Sequence, residues 1–232
     1  MQKKVNHILL ISSSYPTIGE GSAAAGSFVY DFAMELSKHT KVSVLTPGIS
    51  KNEENTNDVD VFRFKVPKLP LSLLKLYYPT HWLHIVRTLR SGSRALNKLL
   101  KRKSVDHILA LWVLPSGFWA LKAFQNSGMS YSCWALGSDI WSFQNNIFGR
   151  LLLNKILSNA KYIYADGYIL KKDVTNITNR NCTFLPSTRV LPKIPPKNEE
   201  HSGTRFAFLG RWHHNKGIDL LLDALHLLSA TD

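Results

Sequence analysis

Short apolar runs of strand length alternate with longer segments of helical period through the first 180 or so residues, and this alternation constrains the fold most. Residues 7–12 (HILLIS), 41–45, 59–66, 107–113, 131–136 and 162–165 read as strands. Between them, apolar residues recur at helical spacing: Phe28, Phe32, Ala33 and Leu36, then residues 80–101, 118–124, 147–157 and 169–175. Near-continuous apolar strands are those buried on both faces, and strands separated by helices pair in parallel through crossovers. The pattern predicts a doubly wound, Rossmann-like α/β domain with a parallel sheet. Residues 50–58, polar and acidic, read as a loop. In such sheets ligands bind beyond the carboxyl ends of the strands, so the loops there are where chemistry is sought.

Three of those loops carry candidate residues. The stretch 12–27 contains Gly19, Gly21 and Gly26, which let the backbone approach a ligand or take positive φ, but it lacks GxGxxG spacing. After the apolar run 131–136, Gly137, Ser138 and Asp139 can meet a polar ligand or simply cap the next helix. Residues 206–225, FAFLGRWHHNKGIDLLLDAL, read as strand, turn and helix, with Arg211 and Lys216 in the turn. A helix N-terminus favours anions, so these cations suit a phosphate or diphosphate; the spacing alone serves a solvated basic turn equally well. The adjacent His213 and His214 do not have metal-ligand spacing, and Cys133 and Cys182 stand far apart, so neither a metal site nor a disulfide is expected. Asp166 and Asp173 read as helix-end charges.

Charge is the other informative feature. Residues 61–105 hold 11 Lys and Arg and no acid, most of the net +13. Arg87, Arg90, Arg94, Lys98 and Lys101 fall on one helical face, with Val86, Leu89, Leu96 and Leu100 on another. The preceding LPLSLLKLYYPTHWLH adds Leu, Tyr and Trp, a composition suited to an anionic bilayer surface. Nucleic acid is disfavoured, because no helix-turn-helix, RNP or zinc signature accompanies the cations. The apolar run 8–11 is too short for a signal-peptide core and no stretch reaches transmembrane length, so the expected location is cytoplasmic, peripheral on the inner face of the membrane.

The Gly-Arg, four residues, Lys-Gly turn ahead of a Leu-rich helix resembles the opening of the second domain of family 4 glycosyltransferases, which have the two-domain GT-B fold. Gly26-Ser27-Phe28-Val29 resembles that family's Gly-x-Phe-Val, and LWVLPSG (111–117) with WALGSDIW (134–141) resembles its pairing of Pro-x-Gly and His-Gly-Ser-Asp turns. Leu136 stands where the family usually has a histidine contacting the transferred sugar, and residues 184–190, FLPSTRV, keep only Pro186 of a Pro-Asn-Gly-Val-Asp turn. The resemblance implies that Arg211 and Lys216, with Gly19 and Gly21, hold the donor diphosphate. It places Gly26, Gly137, Ser138 and Asp139 at the acceptor and sugar pocket.

It further implies a hexosyltransferase-type enzyme. A sugar would pass from a nucleotide-sugar donor to a lipid-linked or saccharide acceptor, with retention and without a metal or other cofactor. The expected division is an acceptor-side domain over 1–186, a proline-rich linker over 187–203, and the first strand, turn and helix of an incomplete donor domain over 204–232. Catalytic carboxylates are expected beyond Asp232, so that these residues alone are inactive. Two alternatives stay open: a non-catalytic membrane-surface or partner subunit, and a nucleotide-sugar epimerase or hydrolase of the same fold.

Overall fold

The computed structural model describes residues 5–16, 26–56, 58–69, 71, 78–189, 206–208 and 216–228. The chain forms two compact units, Met1–Leu191 and Pro192–Asp232. In the first, eight strands build one sheet: β1 (His7–Ser12), β2 (Lys41–Gly48), β3 (Asn52–Thr56), β4 (Val59–Lys65), β5 (His107–Leu111), β6 (Tyr131–Ala135), β7 (Ile163–Ala165) and β8 (Thr183–Phe184). Their order across the sheet is β3-β4-β2-β1-β5-β6-β7-β8. Every pairing is parallel except that of β3 with β4. The helices are α1 (Ser27–Ser37), α2 (Pro79–Arg102), α3 (Phe118–Ser127), the single turn α4 (Ser138–Trp141), α5 (Ile147–Asn159) and α6 (Tyr168–Thr178).

The doubly wound parallel architecture expected from the alternation is the one observed, because each inner strand feeds both layers. Along β1, Leu9 and Ile11 enter a core shared with α2, α3, α5 and α6, while Ile8 and Leu10 enter one covered by α1. The same alternation splits β2, where Leu45 joins the first core and Val42 and Val44 the second. A fully buried Leu or Ile is worth roughly 1.5–3 kcal/mol, so a slip of one residue in any inner strand is strongly disfavoured.

Two expectations need correction. Residues 52–56 are a strand rather than part of a loop, held at the sheet edge by antiparallel pairing in which Glu53 opposes Phe62 and Asn52 opposes Arg63. The apolar face read for α2 meets the core at Leu89, Leu96 and Leu100, and only its first residue, Val86, departs from it. Thr88, Gly92, Leu96 and Leu99 are buried, whereas Val86 is 41% exposed. Small residues, not only apolar ones, make that contact, because α2 lies hard against Trp119 of α3.

In the second unit, α7 (Ile218–Leu227) forms as its spacing predicts, beginning at Gly217 with φ +73°. Residues 206–208, expected to begin a strand, carry no strand pairing with the described residues. Phe206 is 56% exposed.

Candidate functional site

The carboxyl ends of β1, β5 and β6 are adjacent, since β5 lies between the other two. Each ends in a turn that the sequence singles out. After β1 the chain returns at Gly26, whose φ of +76° begins α1. A Cβ at Gly26 would sit 2.5 Å from the carbonyl oxygen of Ser14, so a side chain has no room. Arg63 of β4 braces the base of the same loop. Its Nη2 donates to the Pro16 carbonyl at 2.8 Å while its Nε pairs with Glu54 of β3 at 3.1 Å.

After β5, Trp112 takes φ +65°, a left-handed conformation that costs a bulky residue of order 1–3 kcal/mol. Its ring meets Phe28 of α1 edge-on, centroids 5.6 Å apart, and Phe28 in turn lies 6.1 Å from Trp134 of β6. Leu136 packs in the same cluster and is part of its apolar surface. The turn 113–117 that follows contains Ser116, fully buried and with no hydrogen-bond partner among the described residues.

After β6, Gly137 turns with φ +108° and α4 begins. Asp139 is 3% exposed and joins two of these turns: Oδ2 accepts the Val113 N–H at 2.6 Å and Oδ1 the Leu136 N–H at 3.1 Å. Burial pushes its carboxyl up to about 6, against the opposing pull of the backbone N–H groups around it. Its carboxylate is therefore engaged in joining the turns. Ser138, beside it, is exposed.

A fourth segment reaches the same edge and carries residues that the sequence reading passed over. The carbonyl of Leu185 accepts the Trp134 indole N–H at 3.0 Å, and the Ser187 N–H and hydroxyl donate to Asp166 at 2.7 and 3.0 Å. Two residues on, Arg189 donates to Asp31 at 2.7 Å and to the Ser27 hydroxyl, which sets a guanidinium at the start of α1. Asp166 thus clasps a loop rather than merely ending a helix. Asp173 likewise accepts the Trp141 indole N–H at 2.8 Å. Only long-range pairing reveals these partners, and local spacing carries no sign of them.

Of the remaining expected residues, Gly19, Gly21 and Arg211 lie outside the described residues. Lys216 is exposed in the second unit, directly before the glycine that begins α7. Arg87, Arg90, Arg94, Lys98 and Lys101 are all exposed along α2. Among the described residues, no cluster of His, Cys, Asp and Glu could hold a metal ion, and no helix is long and apolar enough to cross a membrane.

No protein-family model matches the sequence, and no curated protein matches it. Solved structures do match the fold. Sucrose-phosphate synthase from Thermosynechococcus elongatus superposes with a TM-score of 0.56 at 15% identity, over 78% of this chain and 48% of that one. A UDP-forming alpha,alpha-trehalose-phosphate synthase from Burkholderia vietnamiensis gives 0.57 at 9% identity, over 80% and 49%. Arabidopsis thaliana UGT89C1 complexed with UDP gives 0.52 at 17% identity, over 83% and 54%. The chain spans about half the length of these solved proteins. What it shares with these glycosyltransferases is the fold, a Rossmann-like first domain of the GT-B type.

Proposed function

We propose that the chain belongs to a family 4-type glycosyltransferase that moves a sugar from a nucleotide-sugar donor to an acceptor hydroxyl with retention. The observation that carries this reading is the convergence of three turns and Arg189 at the carboxyl edge of a GT-B-type sheet. Residues 1–186 form the acceptor-side domain, 187–203 the linker, and 204–232 the beginning of the donor-binding part. In the transfer, the bond from the anomeric carbon to the acceptor oxygen forms as its bond to the diphosphate breaks. The diphosphate leaves with the electron pair, and the hydroxyl proton passes to it or to solvent. Arg211 and Lys216 neutralise the charge that grows on the leaving group, a task that fixed cations perform through electrostatic stabilisation. Gly26, Gly137 and Ser138 border the acceptor and sugar pocket, Asp139 holds its turns together, and Trp112 and Leu136 give it an apolar wall.

The test is calorimetric binding of uridine, guanosine, cytidine and thymidine diphosphates to the natural protein at its full encoded length. One of them should bind, and Arg211→Ala and Lys216→Ala should each weaken it by roughly tenfold or more, as expected for losing one charge-assisted hydrogen bond of about 1.5–3 kcal/mol. Binding of none, or binding unchanged in both variants, overturns the assignment.

The exposed stripe of α2 supports a peripheral membrane location on the cytoplasmic face. Beside its five cations, Tyr78, Trp82 and Leu83 are each half exposed or more at the amino-terminal end. Aromatic and aliphatic residues next to cations suit the headgroup boundary of an anionic bilayer, where lipid-linked acceptors reside.

A further inference from the structure

Apart from the carboxyl edge, the molecule has a cavity of about 260 Å³ between α2 and the edge hairpin of β3 and β4. Its apolar lining comes from Phe62 and Phe64 of β4 and from Ala95 and Leu99 of α2. Lys51, Arg94, Lys98 and Arg102 also line it, from both sides. Strand β3 opposes Phe62 with Glu53, and Glu53 takes Arg102 in a two-point pair at 2.6 and 3.2 Å. That pair fixes the Arg102 guanidinium and ties α2 to the sheet edge. The Ser91 hydroxyl does the same at the other end, donating to the Lys65 carbonyl at 2.6 Å.

Glu53 is the one acid lining the cavity among the described residues, and Arg102 occupies it. Lys51, Arg94 and Lys98 make no salt bridge with any described residue. With Lys65, which also lines it, four cations without a salt bridge to a described residue share a recess with an apolar floor. Glu53 only partly offsets Lys51 and Lys98, and the combination suits a small anion attached to an alkyl group. The volume is enough for a phosphate with a few carbons.

We propose that this recess binds the phosphate group of an anionic phospholipid, with the phosphate near Lys51, Arg94 and Lys98 and the adjoining carbons on Phe62, Phe64 and Leu99. The proposal rests on the membrane-facing reading of α2 and makes it specific. The stripe of α2 would draw the protein to the surface by diffuse attraction, whereas the recess would hold one lipid. The floor distinguishes a lipid from free phosphate, because inorganic phosphate gains nothing from aromatic rings.

The experiment uses short-chain dihexanoyl phosphatidylglycerol below its micellar concentration, inorganic phosphate, and vesicles of phosphatidylcholine with and without phosphatidylglycerol. The monomeric lipid should bind the wild type, and Lys51→Glu should weaken it by about tenfold or more. Ala95→Phe, which fills the recess and leaves the charge unchanged, should abolish it while circular dichroism confirms the fold. The Arg87→Ala/Arg90→Ala double variant, altered on the stripe outside the recess, should keep monomeric lipid binding and lose vesicle binding.

Vesicle binding without any monomeric lipid binding overturns the recess and leaves the membrane-facing helix standing. Equal affinity for inorganic phosphate overturns the assignment of a lipid. Loss of monomeric lipid binding in the double variant to the same degree as in Lys51→Glu overturns the separation of recess from stripe. None of these outcomes bears on nucleoside diphosphate binding, so the sugar-transfer reading is tested apart.

Discussion

Gly92→Ala should destabilise the sheet domain by about 2–3 kcal/mol, even though alanine is the better helix former by about 1 kcal/mol. Gly92 is buried in the middle of α2, and a Cβ there would lie 2.3 Å from Cε2 and 2.6 Å from Cζ2 and Nε1 of Trp119. The indole has nowhere to retreat. It is fully buried, its Nε1–H donates to the Leu89 carbonyl at 3.0 Å, and it meets the Phe64 ring edge-on at 5.3 Å. Relief therefore requires α2 to lift off α3 and β4. For a domain of this size the melting temperature should fall by roughly 4–12 °C, and the urea midpoint should fall with it. Unchanged or increased stability would show that helix propensity outweighs the contact. A second variant locates the cause. Trp119→Phe shortens the ring that the methyl group would strike, so Gly92→Ala should cost clearly less in that background, a coupling that a double-mutant cycle reads directly.

The same contact shows why part of the fold was legible in the sequence and part was not. Inner strands buried on both faces are near-continuous apolar runs, and HILLIS and HILAL needed no tertiary information to be recognised. The basic stripe of α2 was equally plain, since period alone sets which residues share a helical face. Hydrophobicity alone puts Val86 on the buried face, yet it is 41% exposed. Close approach to Trp119 instead selects Gly92 for its size, and Thr88 is buried one turn before it. Strand β3 escaped notice because its residues Asn52–Thr56 are polar throughout. What makes it a strand is its ladder with β4 and the pairing of its acids with Arg102 and Arg63, residues 49 and 9 positions away.

The candidate site divides in the same way. The turn glycines at 26 and 137 were visible as breaks after apolar runs, and both take positive φ. Arg189 reaches the start of α1 across 158 residues of chain, and Trp112 holds its unusual backbone at the end of β5. Both depend on where the sheet order sets neighbours side by side. Asp139 stood between two readings, ligand contact and helix cap. Its position gives it a third task, joining the turns after β5 and β6 through the Val113 and Leu136 N–H groups.

Asp139→Asn should change how stability depends on pH, gaining about 2–3 kcal/mol relative to the wild type between about pH 4 and pH 7. Burial raises the folded-state value of Asp139 to about 6, against roughly 3.9 for an unfolded aspartate. Between those values the folded protein keeps a proton that the unfolded chain releases. The stability contributed is then fully present below about pH 4 and lost as pH rises through about 6. His107 has the opposite slope. Burial, with Lys161 adding to it, holds the imidazole down to about 4, so its contribution is present above the unfolded value near 6.5 and lost as pH falls. The two slopes oppose each other between about pH 4 and pH 6, so the Asp139 contribution is read from the difference between variant and wild type.

Asparagine mimics the protonated carboxyl, with one acceptor for the Val113 or Leu136 N–H, so at about pH 4 variant and wild type should be nearly equal. Near neutral pH the wild type carries a buried charge that the variant lacks, and the gap should open. Asp139→Ala separates charge from hydrogen bonding. It leaves both buried N–H groups without an acceptor and should cost roughly 2–4 kcal/mol. Urea unfolding at intervals across this range checks all of these expectations. Wild-type and Asn curves that run parallel would mean that the carboxylate ionises at its ordinary value. The N–H groups of Val113 and Leu136, rather than burial, would then govern the charge at the centre of the site.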